Sequence, residues 1–282
     1  MPRAATIGML LDLEHRYQTY SVPRKAAKGL THVGLFRPKD RHNDLSTLVM
    51  FVHSTGNDAY YPNFVLFRAL LAAGLPVLTF DLDGHGNKST TVFSSQTISS
   101  MLPDIVDWVL KNLQVTKLHL VGVSLGAALV LDYSRNPRAE LASITMLSLP
   151  KDVQGVSLKL AAQELSAIFH SVFWSHVGYY GLRHFMPALG RFRRWEFPVR
   201  LVTPGQGFFY YLDAVQEYFA AREGLDASSF PKQLLLAGSW DSLAKYEATS
   251  GLKVVILPHL THFSCQLSET CAELVVSFLC SP

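Results

Sequence analysis

The sequence predicts an α/β protein: a mostly parallel central sheet flanked by helices, with a helical cap inserted before the last strands. Three observations carry this expectation. Short, continuously apolar runs alternate with stretches of helical spacing along most of the chain. Strands buried on both faces read this way, and the intervening helices cover the sheet on both sides. Between 151 and 232 the alternation lapses and no strand run is clear. Lastly, Gly122-Val123-Ser124-Leu125-Gly126 joins an apolar run to a helical stretch, a placement that calls for a tight strand-to-helix turn.

Composition sets the outer limits. The chain has 282 residues, 49% of them apolar, enough for one large domain with a modest insertion. A dispersed net charge of +3 argues against nucleic acid as a partner. The apolar stretch Ile7 to Leu11 is too short for a signal peptide, and no run nears the roughly 18 residues of a membrane helix. The cysteines at 265, 271 and 280 match no metal-binding spacing. A reduced, cytoplasmic setting is the expectation.

The elements follow in order. Thr31 to Phe36 reads as an antiparallel edge strand, and Thr47 to Val52 as a buried strand ending in the polar loop His53-Ser54-Thr55-Gly56-Asn57. Phe64 to Ala73 has helical spacing and stops at Gly74, a residue that favours helix ends. Pro76 to Phe80 is the next strand, with Asp81 to Gly86 as its turn-rich exit. A helix is expected over Ile98 to Leu113, with Pro103 near its start. Further strands are expected at Leu118 to Val123, Ser143 to Leu149, Gln233 to Ala237 and Lys253 to Leu257, with a last helix over Glu269 to Leu279. No internal repeat interrupts this series.

The interval 151–232 is rich in aromatic residues and holds a basic cluster at Arg191, Arg193 and Arg194. Helical periodicity runs over Leu158 to Phe173 and again over Phe209 to Ala221. The expected layout is therefore core at 1–150, a helical cap at 151–232, and core again at 233–282. So many aromatic side chains favour an apolar pocket beneath the cap.

The chemistry starts at Ser124. Glycines at 122 and 126 leave room for a turn that exposes its hydroxyl. A serine hydroxyl is a weak nucleophile until a base takes its proton, and two imidazoles, His259 and His262, follow the last strand. That base needs a carboxylate to fix its tautomer. Asp241, four residues beyond one strand, and Asp152, just after the preceding one, are both available. The backbone N–H of Leu125, next after the nucleophile, is one donor for a developing oxyanion.

With these pieces in this order, the chain resembles the α/β-hydrolase family, and most closely its monoacylglycerol-lipase and serine-aminopeptidase-like lipases and esterases. The resemblance rests on His53 to Asn57, Asp81 to Gly86, the turn at Ser124, Gly238-Ser239-Trp240-Asp241 and Thr261-His262-Phe263. It implies an α/β-hydrolase fold whose catalytic groups sit at the carboxyl ends of the strands. It also implies that Ser124 is the nucleophile, Asp241 the acid and His262 the base, with His259 structural. Asp152 stands where some lipases carry their acid instead. Asp81, Asp83 and His85 match a turn that shapes the loop beside the site. Thr55 is implied as the second oxyanion donor, although Ser54 stands where relatives commonly have glycine.

The expected function is serine hydrolysis of carboxylic esters, with a medium or long apolar acyl chain, through an acyl-enzyme. That chemistry requires no metal, flavin or nucleotide, and the expected partner is a small or lipid-like ester. Other readings use the same residues: an iminopeptidase-type peptidase, to which Glu164, Glu196, Glu217 or Glu223 would offer an amine site, or an acyltransferase or thioesterase. A binding protein without catalysis is a further alternative. The Arg191 to Trp195 stretch is expected to be a solvated helix face, or else to rest on an anionic membrane surface or bind an anionic substrate head.

Overall fold

The structure, a computed structural model, describes residues 17–39, 44–55, 59, 63–86, 89–151, 208–221, 232–244, 246 and 253–281. Eight strands form one sheet: β1 (Tyr17–Pro23), β2 (Leu30–Phe36), β3 (Thr47–Val52), β4 (Val77–Phe80), β5 (Lys117–Val123), β6 (Leu141–Leu147), β7 (Gln233–Gly238) and β8 (Lys253–Leu257). Their order is β1-β2-β4-β3-β5-β6-β7-β8, and β2 alone runs against its neighbours. Five α-helices accompany them among the described residues: α1 (Phe64–Ala72), α2 (Met101–Asn112), α3 (Leu125–Arg135), α4 (Phe208–Ala221) and α5 (Glu269–Cys280).

Period-two alternation explains why the central strands read as unbroken apolar runs. Leu48, Met50 and Val52 of β3 point to one face, where they meet α2, α3 and α4. Val49 and Phe51 point to the other, where α1 and α5 lie side by side. Leu118 and Leu120 of β5 join the first face, and Val121 and Val123 the second. Both faces are covered, so most positions in these strands are apolar for a packing reason.

The strand expected at Thr31 to Phe36 is antiparallel, but it is not the edge. Tyr17–Pro23 pairs outside it, from Tyr17 opposite Phe36 to Pro23 opposite Leu30. This outer strand mixes polar and apolar residues, because only one of its sides is paired and much of it faces solvent. The helix expected from Ile98 begins earlier, as a 3-10 turn over Ser95–Ser100 in which the Ser94 side chain accepts from the Gln96 N–H. Within 151–232, helix α4 covers the stretch expected to be helical at Phe209 to Ala221. Its Tyr211, Ala214 and Val215 are buried against the core at helical spacing. The helix expected over Leu158 to Phe173 and the basic cluster at Arg191 to Arg194 lie outside the described residues. So does the greater part of the expected cap. Among the described residues, no helix is long and apolar enough to cross a membrane.

The parallel register brings the carboxyl ends of β3, β4, β5, β7 and β8 to one edge of the sheet. From β3 the chain moves to β4 on one side and then crosses to β5 on the other. Such a switch point leaves a crevice just outside the strand ends.

Candidate active site

Ser124 is the residue between β5 and α3, and its backbone is held at φ 52°, ψ −114°. A non-glycine residue in that region carries strain of order 1–3 kcal/mol. The surroundings leave it no other choice. A Cβ on Gly122 would overlap the carbonyl of Gly126, and a Cβ on Gly126 would overlap the carbonyl oxygen of Val52 and stand 2.6 Å from that of His53. The two glycines thus let α3 start in contact with the end of β3. The Ser124 N–H donates to Leu147 at 2.9 Å, and its carbonyl accepts from the Ala128 N–H at 3.1 Å. Leu125 opens α3, so its N–H has no partner within the helix.

His262 follows β8. Its Nε2 lies 2.9 Å from Ser124 Oγ, and its Nδ1 lies 3.0 and 2.9 Å from the two carboxylate oxygens of Asp241. A carboxylate only accepts, so Nδ1 carries the proton and Nε2 is left to accept from the Ser124 hydroxyl. Asp241 is buried, and its Oδ1 also accepts from the N–H groups of Leu243 and Ala244, each at 3.0 Å. Burial pushes this carboxyl up, but the hydrogen bond and charge of His262, helped by the Ala244 N–H, outweigh it and hold it below the ordinary value.

The loops that carry these groups are tied together locally. Gly238 approaches the backbone of Leu260 so closely that a Cβ would overlap its carbonyl, and the Trp240 N–H donates to the same carbonyl at 3.0 Å. Thr261 and Ser264 exchange bonds around His262: the Thr261 N–H donates to Ser264 Oγ at 2.8 Å and the Ser264 N–H to Thr261 Oγ1 at 3.2 Å. His259 sits apart, exposed at φ 59°, with its N–H on Ser239 Oγ and its ring against Trp240. Asp152 and Gly56 lie outside the described residues, as do Glu164, Glu196 and Glu223. Glu217 is on α4 and exposed.

Thr55 follows the end of β3. Among the described residues its N–H donates to no backbone carbonyl. The His53 ring is neutral, with Nδ1–H donating to Ser54 at 2.8 Å and Nε2 accepting from the Leu82 N–H at 2.9 Å. Burial, and then His85, hold its pKa well below the ordinary value. Asp81 accepts from the Ala59 N–H at 3.0 Å and the Ser89 hydroxyl at 2.8 Å, joining the loops after β3 and β4. Asp83 is paired with Arg24, which also bonds Asp104 at 3.0 Å. Sequence reasoning missed Arg24 and Tyr211, the latter hidden in an aromatic-rich stretch.

Buried histidines make a definite pH prediction. His85 and His119 are each pushed down to about 4, in both cases chiefly by burial. An unfolded histidine titrates near 6.5, so between those values the unfolded chain binds more protons than the folded one. Their contribution to stability is therefore complete above about pH 6.5 and is lost as pH falls through about 4. Asp83, pushed up to about 6 by burial against the opposing pull of Arg24, works the other way and offsets only part of this. The urea midpoint is expected to drop between pH 7 and pH 4.5, and His119→Gln to flatten that slope. An unchanged midpoint contradicts the assignment.

A sheet with one reversed strand, a strained serine after β5 and an imidazole reaching it from the loop after β8 define a particular class of scaffold. Residues 49–275 match the model of the alpha/beta hydrolase family, and the chain belongs to that family. No curated protein matches it by sequence. Among solved structures it resembles a hydrolase from Pseudomonas aeruginosa PA01 (TM-score 0.60, 17% identity, 94% of this chain and 99% of that one). It also resembles the Pyrococcus furiosus esterase Pf2001 (TM-score 0.59, 18% identity, 95% and 92%). A laboratory-evolved variant of potato epoxide hydrolase is similar to a like degree (TM-score 0.59, 14% identity, 94% and 99%). At such identities the likeness concerns the fold, and activity must be argued from the site.

Proposed function

We propose that the chain is a serine hydrolase that cleaves carboxylic esters through an acyl-enzyme, with Ser124 as nucleophile, His262 as base and Asp241 as acid. The observation that carries the reading is the continuous hydrogen-bonded line from Ser124 Oγ through the His262 ring to a buried Asp241. In the first half-reaction Ser124 Oγ attacks the ester carbonyl carbon while its proton passes to His262 Nε2. Asp241 keeps the ring oriented and offsets the imidazolium charge. The tetrahedral oxygen rests on the N–H groups of Leu125 and Thr55, the first reinforced by the positive end of α3. His262 then protonates the leaving alcohol. Water, activated by the same ring, releases the acid and restores the serine.

Residues 151–232 are read as a cap over the strand ends, and its many aromatic side chains favour a medium or long apolar acyl group, such as a monoacylglycerol or another lipid-like ester. The basic run Arg191 to Trp195 would suit contact with an anionic surface.

Initial rates on p-nitrophenyl esters of increasing acyl length, from acetate to palmitate, test this. Turnover abolished in Ser124→Ala, with an optimum beyond the shortest esters, is the expected result. An optimum at acetate removes the apolar-acyl reading. No turnover of any ester removes the esterase reading and leaves the peptidase, acyltransferase and binding alternatives.

A further inference from the structure

Among the described residues, helix α4 reaches the candidate site through Tyr211. Tyr211 is 0% exposed, its ring edge-on to Phe93 and to His85 with centroids 4.6 and 5.4 Å away. Its hydroxyl lies 3.3 Å from His85 Nε2 and 3.4 Å from Thr55 Oγ1. A buried phenol must find polar partners for its hydroxyl, and which partners it finds decides what it holds in place. This one sits between a residue of the β4 exit loop and the residue assigned above as an oxyanion donor.

The protons can be assigned by inventory. His85 Nδ1 lies 3.0 Å from the carbonyl oxygen of Asp83, so Nδ1 carries the hydrogen and Nε2 is bare. Burial keeps the imidazole neutral and the Tyr211 phenol protonated. The phenol donates to Thr55 Oγ1, and its oxygen stands 3.3 Å from His85 Nε2. The Asp83 carbonyl, anchored by the Arg24 pair, terminates the chain. Among the described residues the Thr55 N–H donates to no backbone carbonyl, which leaves it available to the elbow. The lack of a side chain at Gly126 brings the start of α3 against the Val52 and His53 carbonyls, next to Thr55.

We propose that Tyr211 is a positioning residue: bonded between His85 and Thr55, it holds Thr55 so that its amide can stabilise the oxyanion formed at Ser124. This rests on the serine-hydrolase reading above. Both contacts, at 3.4 and 3.3 Å, are longer than usual hydrogen bonds. The effect is therefore smaller than the loss of an oxyanion donor itself.

The test compares the wild type, Tyr211→Phe, Thr55→Val and the double variant. Two rates are measured: ester turnover, and the rate constant for phosphonylation of Ser124 by an alkyl fluorophosphonate, which also places negative charge on an oxygen at that site. Tyr211→Phe is expected to lower both kcat and phosphonylation about tenfold, with KM within about twofold and the melting temperature little changed. Thr55→Val, which keeps the amide, is expected to act similarly, and the double variant to be no slower than the slower single one. Unchanged rates in Tyr211→Phe, a rise in KM alone, or losses that multiply in the double variant overturn the proposal. Labelling of the wild type without ester turnover defeats the esterase reading but leaves the phosphonylation comparison standing. No labelling at all removes both.

Discussion

Replacing Ser124 by alanine is expected to lower ester turnover by about 10⁴-fold or more while leaving the fold intact. Groups that act as a unit lose nearly all of their effect when one is removed, and serine or histidine deletions in such sites cost up to about 10⁶ in kcat. Here the three side chains form one line of contacts, and among the described contacts nothing else within hydrogen-bond reach of His262 Nε2 replaces the hydroxyl. The fold should survive because the turn is set by Gly122 and Gly126 and by the backbone bonds of Ser124, none of which uses Oγ. Asp241→Asn should fall at the lower end of that range, about 10⁴-fold against up to about 10⁶ for the serine, since the serine and imidazole remain but the ring loses its tautomer control. The readout is kcat on the best p-nitrophenyl ester together with the far-UV spectrum. A Ser124→Ala loss below about tenfold would show that the elbow is not the seat of the reaction.

The largest expected effect on stability comes from Arg24. Its side chain is 0% exposed, and it joins Asp83, also 0% exposed, to Asp104, whose carboxylate further accepts the Lys25 and Ala26 N–H groups at 3.1 and 3.2 Å. Arg24→Leu leaves two carboxylates facing one another in the interior. Removing one partner of a buried ion pair costs about 3–5 kcal/mol, because the desolvated charge is left uncompensated. The sign of the pH effect follows. Without Arg24 the Asp83 carboxyl rises further and takes up a proton on mild acidification. The deficit of the variant should therefore be larger at pH 8 than at pH 5. Urea unfolding of both proteins at the two pH values measures it, and a loss under about 1 kcal/mol would contradict the buried-pair account. Because Asp83 also supplies the carbonyl that receives the His85 Nδ1–H, the variant should lose activity at temperatures where it is still folded.

How much of this could be read from the sequence depended on the range over which each interaction acts. The elbow was legible because its requirements fall within five consecutive residues, two of which must lack a side chain. Strands β3 to β7 were legible because burial on both faces leaves largely apolar runs, and β8, at the other edge, because its Val254 to Leu257 is apolar. Strand β1 was not, since an edge strand with one paired side carries polar residues and no such run. The juxtaposition of His262 with Ser124 spans 138 positions and came from the family order, not from local pattern. The Arg24–Asp83 pair and the Tyr211–Thr55 contact join residues 59 and 156 positions apart. Nothing in the local composition around Arg24 or Tyr211 marks those residues out. Burial turned an ordinary surface-type residue and one aromatic among many into structural ties.

The most direct test of the central claim is covalent trapping of the nucleophile. The purified protein would be incubated with an alkyl fluorophosphonate, its intact mass measured, and the adduct located by peptide sequencing. One adduct is expected, on Ser124, which disappears in Ser124→Ala and slows sharply in His262→Gln. No adduct, or one on another residue, would contradict it.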